Sequence, residues 1–262
     1  MRIRATVAAV SGALALSALA VPAAHAATAA AAPAVTFSNM KVNNGKAATE
    51  GATTTLKLPV TYTVTHAAGL DLSTIQNGPL IYRGTSPQDY TAEIISDAPG
   101  TCTTASTTTL NCKATITVPA SELYNSDAGT WKSGGVAVDT KTGGQKWQGD
   151  LGTIAIRRQA KLTTDATPEP VKKGGTITVS GKLTRANWES GTYVALGGQS
   201  VKLQFRKNGT TTYTTLKTIT SSSTGALKTT VTASVDGYYR YSFAGIATTS
   251  SVSATGDFVD VQ

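Results

Sequence analysis

From residue 35 onward, apolar residues recur at every second position. Leu56, Leu58, Val60, Tyr62 and Val64 mostly alternate with Lys57, Thr61, Thr63 and Thr65. A period of two sends successive side chains to opposite faces of a pleated strand, so this segment predicts a strand buried on one side. Val35 and Phe37 repeat the pattern, as do Ala114, Ile116 and Val118, then Val136 and Val138, then Ile154 and Ile156. Leu80 with Tyr82, before Gly84, and Ile94 with Ile95 predict two more strands. Asn44-Gly45, Asn77-Gly78, Pro99-Gly100 and Gly143-Gly144 read as the turns between them.

Arg157 to Pro170 reads as a junction. Within it, Thr167-Pro168-Glu169-Pro170 removes backbone donors that a sheet ladder needs. A second set of strands follows. Ile177 and Val179 alternate with threonines. Val201, Leu203 and Phe205 share one face, with Lys202, Gln204 and Arg206 on the other. Asn208-Gly209 predicts a two-residue hairpin, whose turn positions need positive φ. Leu216 and Ile219, Leu227 and Val231, then Tyr239, Tyr241 and Phe243 continue the pattern, and Val252, Phe258 and Val259 close it. No window beyond the leader has a helical period. Short strands joined by such turns predict an all-β chain of two consecutive immunoglobulin-like β-sandwiches, residues 35–158 and 159–262.

A local echo fits two related units. Ser126-Asp127-Ala128-Gly129-Thr130-Trp131-Lys132 parallels Ser234-Val235-Asp236-Gly237-Tyr238-Tyr239-Arg240. Each places an aromatic two residues after a glycine, as at the corner entering the sixth strand of such a sandwich. Trp131 is therefore expected in the core.

Residues 1–26 have another character. Arg2 and Arg4 precede an Ala-, Val- and Leu-rich run that ends at Ala24-His25-Ala26, the pattern of a cleaved secretory signal peptide. The run is too short and too alanine-rich for a membrane anchor. Residues 27–34 read as a flexible mature N-terminus, and the protein is expected to be secreted, with no membrane span in the mature chain. The formal charge of +8 suits attraction to an anionic cell wall, membrane surface or acidic polymer, with an anionic cell-wall polymer, a glycan or a protein as the candidate partner, although dispersed lysines also serve solubility. No nucleic-acid motif is present. Cys102 and Cys112 are the only cysteines, and in an oxidising compartment they are expected to staple a hairpin as a disulfide.

The stretch Ala166–Arg185, with Gly198–Arg206 and Asp236–Arg240, resembles the C-terminal immunoglobulin-like module of exported actinobacterial proteins. The half before it resembles an uncharacterised β domain often coupled to that module. The resemblance implies a secreted sandwich and no catalytic residues.

Candidate chemistry is sparse. Ser38-Asn39-Met40-Lys41, Ser126-Asp127-Ala128 and Lys141-Thr142-Gly143 imitate the motif order of serine β-lactamases. That chemistry needs Ser and Lys one helical turn apart, and Ser38 lies in a predicted strand. His66 is the single histidine after the leader, without a nucleophile elbow around a serine. No residues are assigned to catalysis, to a metal or to a cofactor. The leading reading is a secreted, non-enzymatic binding or cell-envelope protein. The alternatives are a polysaccharide-binding module using Trp147, Trp188 or Tyr193, and a hydrolase with unrecognised acidic groups, such as a paired-carboxylate glycosidase. Trp147 is expected to be exposed. Trp188 and Tyr193 lie in a loop that either stacks on a ligand or covers the core.

Overall fold

The computed structural model describes residues 30–262; the expected signal peptide at 1–26, and residues 27–29, lie outside the described residues. Ten strands form the first sandwich: β1 (Val35–Val42), β2 (Ala48–Glu50), β3 (Thr55–His66), β4 (Ile75–Ser86), β5 (Asp89–Ile95), β6 (Thr101–Ser106), β7 (Thr109–Pro119), β8 (Gly129–Asp139), β9 (Gln145–Gln148) and β10 (Thr153–Arg158). One sheet runs β1-β3-β7-β6, and the other runs β2-β10-β8-β4-β5 with β9 beside β8. These orders are the A-B-E-D and A′-G-F-C-C′ sheets of an immunoglobulin-like fold. The parallel pairing of β2 with β10 joins the A′ and G positions.

The second sandwich holds β11 (Ala160–Leu162), β12 (Asp165–Thr167), β13 (Thr176–Asn187), β14 (Thr192–Ala195), β15 (Ser200–Lys207), β16 (Thr214–Thr220), β17 (Ala226–Thr232), β18 (Gly237–Phe243), β19 (Val252–Ser253) and β20 (Asp257–Val259). β13 is the centre of one sheet, flanked by β11, β12, β14 and β17. The other runs β16-β15-β18, followed by β19 and β20. The chain is thus all-β, two immunoglobulin-like sandwiches in series, with no α-helix among the described residues.

The alternation read from the sequence is what divides each strand between core and solvent. In β3, Leu58, Val60, Tyr62 and Val64 are buried between exposed or half-buried partners. In β18, Tyr239, Tyr241 and Phe243 face inward and Tyr238 and Arg240 face out. Both corners form as expected. Gly129 and Gly237 open β8 and β18, and Trp131 and Tyr239 are buried two residues later. The Trp131 indole N–H donates to the Asp127 carbonyl at 2.9 Å, which pins the turn to the strand it starts.

Two local expectations are corrected. Asn77-Gly78 is not a turn but lies inside β4. A Cβ on residue 78 would sit 2.6 Å from the Ser96 hydroxyl, so the glycine permits close approach rather than chain reversal. Asn208-Gly209 does not make a two-residue hairpin, because only Gly209 takes a positive φ, at 78°. The strands part after Phe205 and Thr214, and a loop spans residues 208–213. The end of the N-terminal segment touches the first sandwich. Pro33 is buried, and Ala34 accepts a hydrogen bond from the Ala67 N–H at 3.0 Å.

Cys102 and Cys112 lie directly opposite each other in the β6–β7 hairpin and are joined by a disulfide. With ten residues of sequence separation, the bridge restricts the unfolded chain only over a short loop. Replacing both cysteines with alanine should lower stability by about 2–3 kcal/mol in urea denaturation. An unchanged midpoint would show that the ladder alone holds the hairpin.

Candidate functional site

The aromatic residues singled out in the sequence do not converge. Gln148 faces β1, where its side-chain amide exchanges two hydrogen bonds with the Phe37 backbone, at 2.8 and 2.9 Å. Period two then turns Trp147 to the outer face of its sheet, where it is half-buried over Leu80, Tyr82 and Val136. Its indole N–H donates to Gln145 at 3.1 Å.

Trp188 and Tyr193 serve the seam between the sandwiches. Trp188 follows β13 in the second sandwich, yet it packs into the apolar core of the first and is 3% exposed. Its indole N–H reaches the Glu50 carbonyl at 3.4 Å. Tyr193 packs against the same core and donates to the Gln159 side chain, with the Lys161 ammonium 3.7 Å from its ring centroid. Around them the backbone is stitched across the junction. Gln159 N–H donates to Glu50 O at 2.8 Å, and Arg158 exchanges 3.0 Å bonds with Thr248 and Ser250. The buried Arg158 guanidinium donates to the Ala186 carbonyl.

The groups resembling lactamase motifs are also apart. Ser38 and Lys41 flank an irregularity in β1, Asp127 holds the corner before β8, and Lys141 sits in the turn after β8. His66 is buried, with Nδ1 3.0 Å from the Ala67 carbonyl oxygen.

A different group of side chains does converge, on the outer face of the β16-β15-β18 sheet. Cross-strand pairing sets Gln204 opposite Arg240 and Arg206 opposite Tyr238, and Tyr238 opposite Phe258 of β20. The loop that replaces the expected hairpin carries Tyr213 across this face. A Cβ on Gly256 would lie 2.2 Å from the Tyr213 hydroxyl, so the glycine makes room for it. The Arg206 guanidinium lies 4.0 Å from the Tyr238 centroid, and that of Arg240 lies 3.7 Å from the Tyr213 centroid. Tyr238 and Phe258 pack with centroids 5.1 Å apart. The five residues are half-buried, forming a platform of ring faces and planar cations.

This platform has a one-sided charge. Among the described residues the one ion pair within 4.0 Å joins Lys132 to Asp150, in the other sandwich. Arg240 Nε donates to the neutral Gln204 amide at 2.9 Å, and Arg206 donates to the Thr210 carbonyl. The nearby acids are engaged by backbone: Asp257 accepts from Ala166 N–H and Asp236 from Val261 N–H. Residues 159–262 contain eleven basic and six acidic side chains, against ten and nine in residues 30–158. Sequence reading placed Arg206 on an outer face but missed the platform. Tyr238 and Arg240, two apart on the polar face of β18, were its visible sign.

The first sandwich holds two shifted carboxyl groups. Burial pushes Glu50 upward from 4.5, against a hydrogen bond from Thr54. Burial pushes Glu93 from 4.5 up to about 7.

No family model matches the chain, and no curated protein matches it. Among solved structures, a marsupial T cell receptor is 12% identical over 87% of this chain and 73% of its own, with a TM-score of 0.38. A chimeric titin Z1Z2 tandem is 14% identical over 87% and 99%, with a TM-score of 0.30. Fibronectin(III)-like modules of Clostridium thermocellum CbhA are 10% identical over 85% and 92%, with a TM-score of 0.29. No property beyond their general β architecture passes from these to the present chain.

Removing Trp188 should therefore damage a sandwich to which it does not belong in sequence. Trp188→Ala should cost the first sandwich about 3–5 kcal/mol, read by amide exchange in β3 and β8. Weakened protection confined to the second sandwich would contradict the seam assignment. Glu93 gives a pH test. A carboxyl whose folded pKa is raised binds more protons folded than unfolded, so stability falls as pH rises through that range. The wild type should lose stability relative to Glu93→Gln between pH 4.5 and about 7, followed by thermal melts. Parallel melting curves would show that Glu93 is well solvated.

Proposed function

We propose that this is an exported, non-catalytic binding protein whose second sandwich holds an anionic cell-envelope glycan. The observation that carries this reading is the platform of Arg206, Arg240, Tyr213, Tyr238 and Phe258, with its cations unpaired by carboxylates. A guanidinium presents a flat fork of N–H donors that matches a carboxylate. Stacking on tyrosine holds that fork in place and leaves its edge to a ligand. Ring faces beside it suit the apolar side of a sugar ring, as aromatic side chains do when one face stays wet. Together these favour a polymer with sugar rings and carboxylates, such as a uronate, over a neutral glycan or a polyol phosphate without rings.

The charge distribution supports the same end of the molecule, since most of the excess positive charge lies beyond residue 158. The leader-like residues 1–26 and the Cys102–Cys112 disulfide support an extracellular location. No helix of the described residues is long and apolar enough to cross a membrane.

Polygalacturonate retention on a column or sensor tests the proposal. The protein should bind it, elute as salt rises, and ignore dextran. Arg206→Gln with Arg240→Gln should weaken binding about ten-fold or more, equivalent to at least 1.4 kcal/mol. Equal retention of the double variant, or equal binding to dextran, would overturn the reading.

A further inference from the structure

The first sandwich offers a second surface, independent of the arginine platform. Among the described residues, β5 ends its sheet and pairs only with β4. A cleft of about 720 Å³ lies beside it, within the range of small-ligand sites. Consecutive residues Tyr90 to Asp97 border that cleft. Side chains of a strand alternate between faces, so a run of neighbours along one cavity means that the strand edge itself faces it. The N–H and C=O groups of that edge are an unused half of a ladder.

The two faces of β5 differ. Ala92 and Ile94 lean toward the core with Ile81, and Leu123 and Trp131 border the cleft on that side. Glu93 and Ile95 stand opposite Tyr82 and Leu80, on the outer face. One Glu93 oxygen is buried without a hydrogen-bond partner. Of the described basic residues, only Arg83 borders the cleft, and its guanidinium donates to the Asp127 carbonyl at 3.0 Å. The edge strand β16 of the second sandwich carries a lysine instead. There Lys217 of β16 reaches the Thr229 hydroxyl of β17 at 3.1 Å.

We propose that β5 receives an extended peptide segment of alternating apolar and basic residues as an added strand. Its backbone completes the open ladder, which is how strand addition gains affinity. Alternate side chains supply the selectivity. The apolar ones enter the cleft against Ala92, Ile94 and Leu123, and the basic ones lie on the outer face beside Glu93, where the unpaired oxygen accepts a donor. A second copy of this chain is disfavoured as the occupant, because β5 paired with itself would bring Asp89 and Glu93 of each copy together.

A fluorescent heptapeptide of alternating valine and lysine tests this on the full mature chain. It should bind saturably by anisotropy, and binding should slow amide exchange within residues 90–95. The alternating valine–glutamate peptide should not bind, although the protein as a whole is basic. Backbone N-methylation of the lysine peptide along one edge should abolish binding, and Glu93→Gln, nearly isosteric, should weaken it about ten-fold. Failure of the lysine peptide to bind, binding without protection at β5, or equal affinity in Glu93→Gln would overturn the proposal. So would concentration-dependent protection of β5 without peptide, which would assign the edge to a second copy.

Discussion

The rest of the molecule depends on one crossing contact. Trp188 leaves the second sandwich and completes the core of the first, where it is buried beside Ala186. An immunoglobulin-like sandwich packs the inner faces of its two sheets together but leaves its ends open, and an open end exposes apolar side chains. Here the neighbouring unit fills that end. The indole, the Arg158 guanidinium and the main chain of Gln159 all bond across the junction, while Glu50 Oε2 and the Thr249 hydroxyl are buried there without a hydrogen-bond partner. The consequence is functional as well as structural. A linker of one residue between β10 and β11, tied on both sides, gives the two sandwiches a defined relation instead of a free hinge.

The same contact explains where binding chemistry is not found. Large aromatics in loops of a sandwich suggest a ligand site, and two of the three candidates here are taken by the seam. The arginine platform stands on the outer face of β15 and β18, where Arg206, Tyr238 and Arg240 point away from the core. Arginine suits such a place better than lysine. Its planar cation packs on tyrosine without losing the outward donors, whereas a hydrated ammonium gains less from a ring. The guanidinium groups are thereby positioned before any ligand arrives, which reduces the ordering cost of binding.

Much of the architecture was legible because strand period is a local property. β3, β7, β15 and β18 follow directly from alternating residues. The short elements were not. β2, β9 and β14 span three or four residues, too few for a period to show, and they exist because longer neighbours offer them a ladder. β6 is longer, but its residues are mostly exposed, so it lacks an apolar set. Asn77-Gly78 carried a turn signal that packing overrode, since Gly78 lies inside β4 with the Ser96 side chain close over it. The fate of Trp188 could not be read at all. Its burial is decided by residues from the other sandwich, such as Glu50 and Asn125, which lie 138 and 63 positions away. The platform was half-visible: the polar face of β15 was evident, but its meeting with Tyr213 and Arg240 depends on register and on a loop where a tight hairpin was expected.

The account reduces to the claim that the described indoles serve packing while stacked guanidiniums meet the ligand. Backbone amide shifts recorded during titration with oligogalacturonate test it most directly. The account predicts changes confined to β15, β18, β20 and the loop at 208–213, with the Trp147 and Trp188 indole signals unmoved. Changes centred on Trp147, or on the Glu93 cleft, would contradict it.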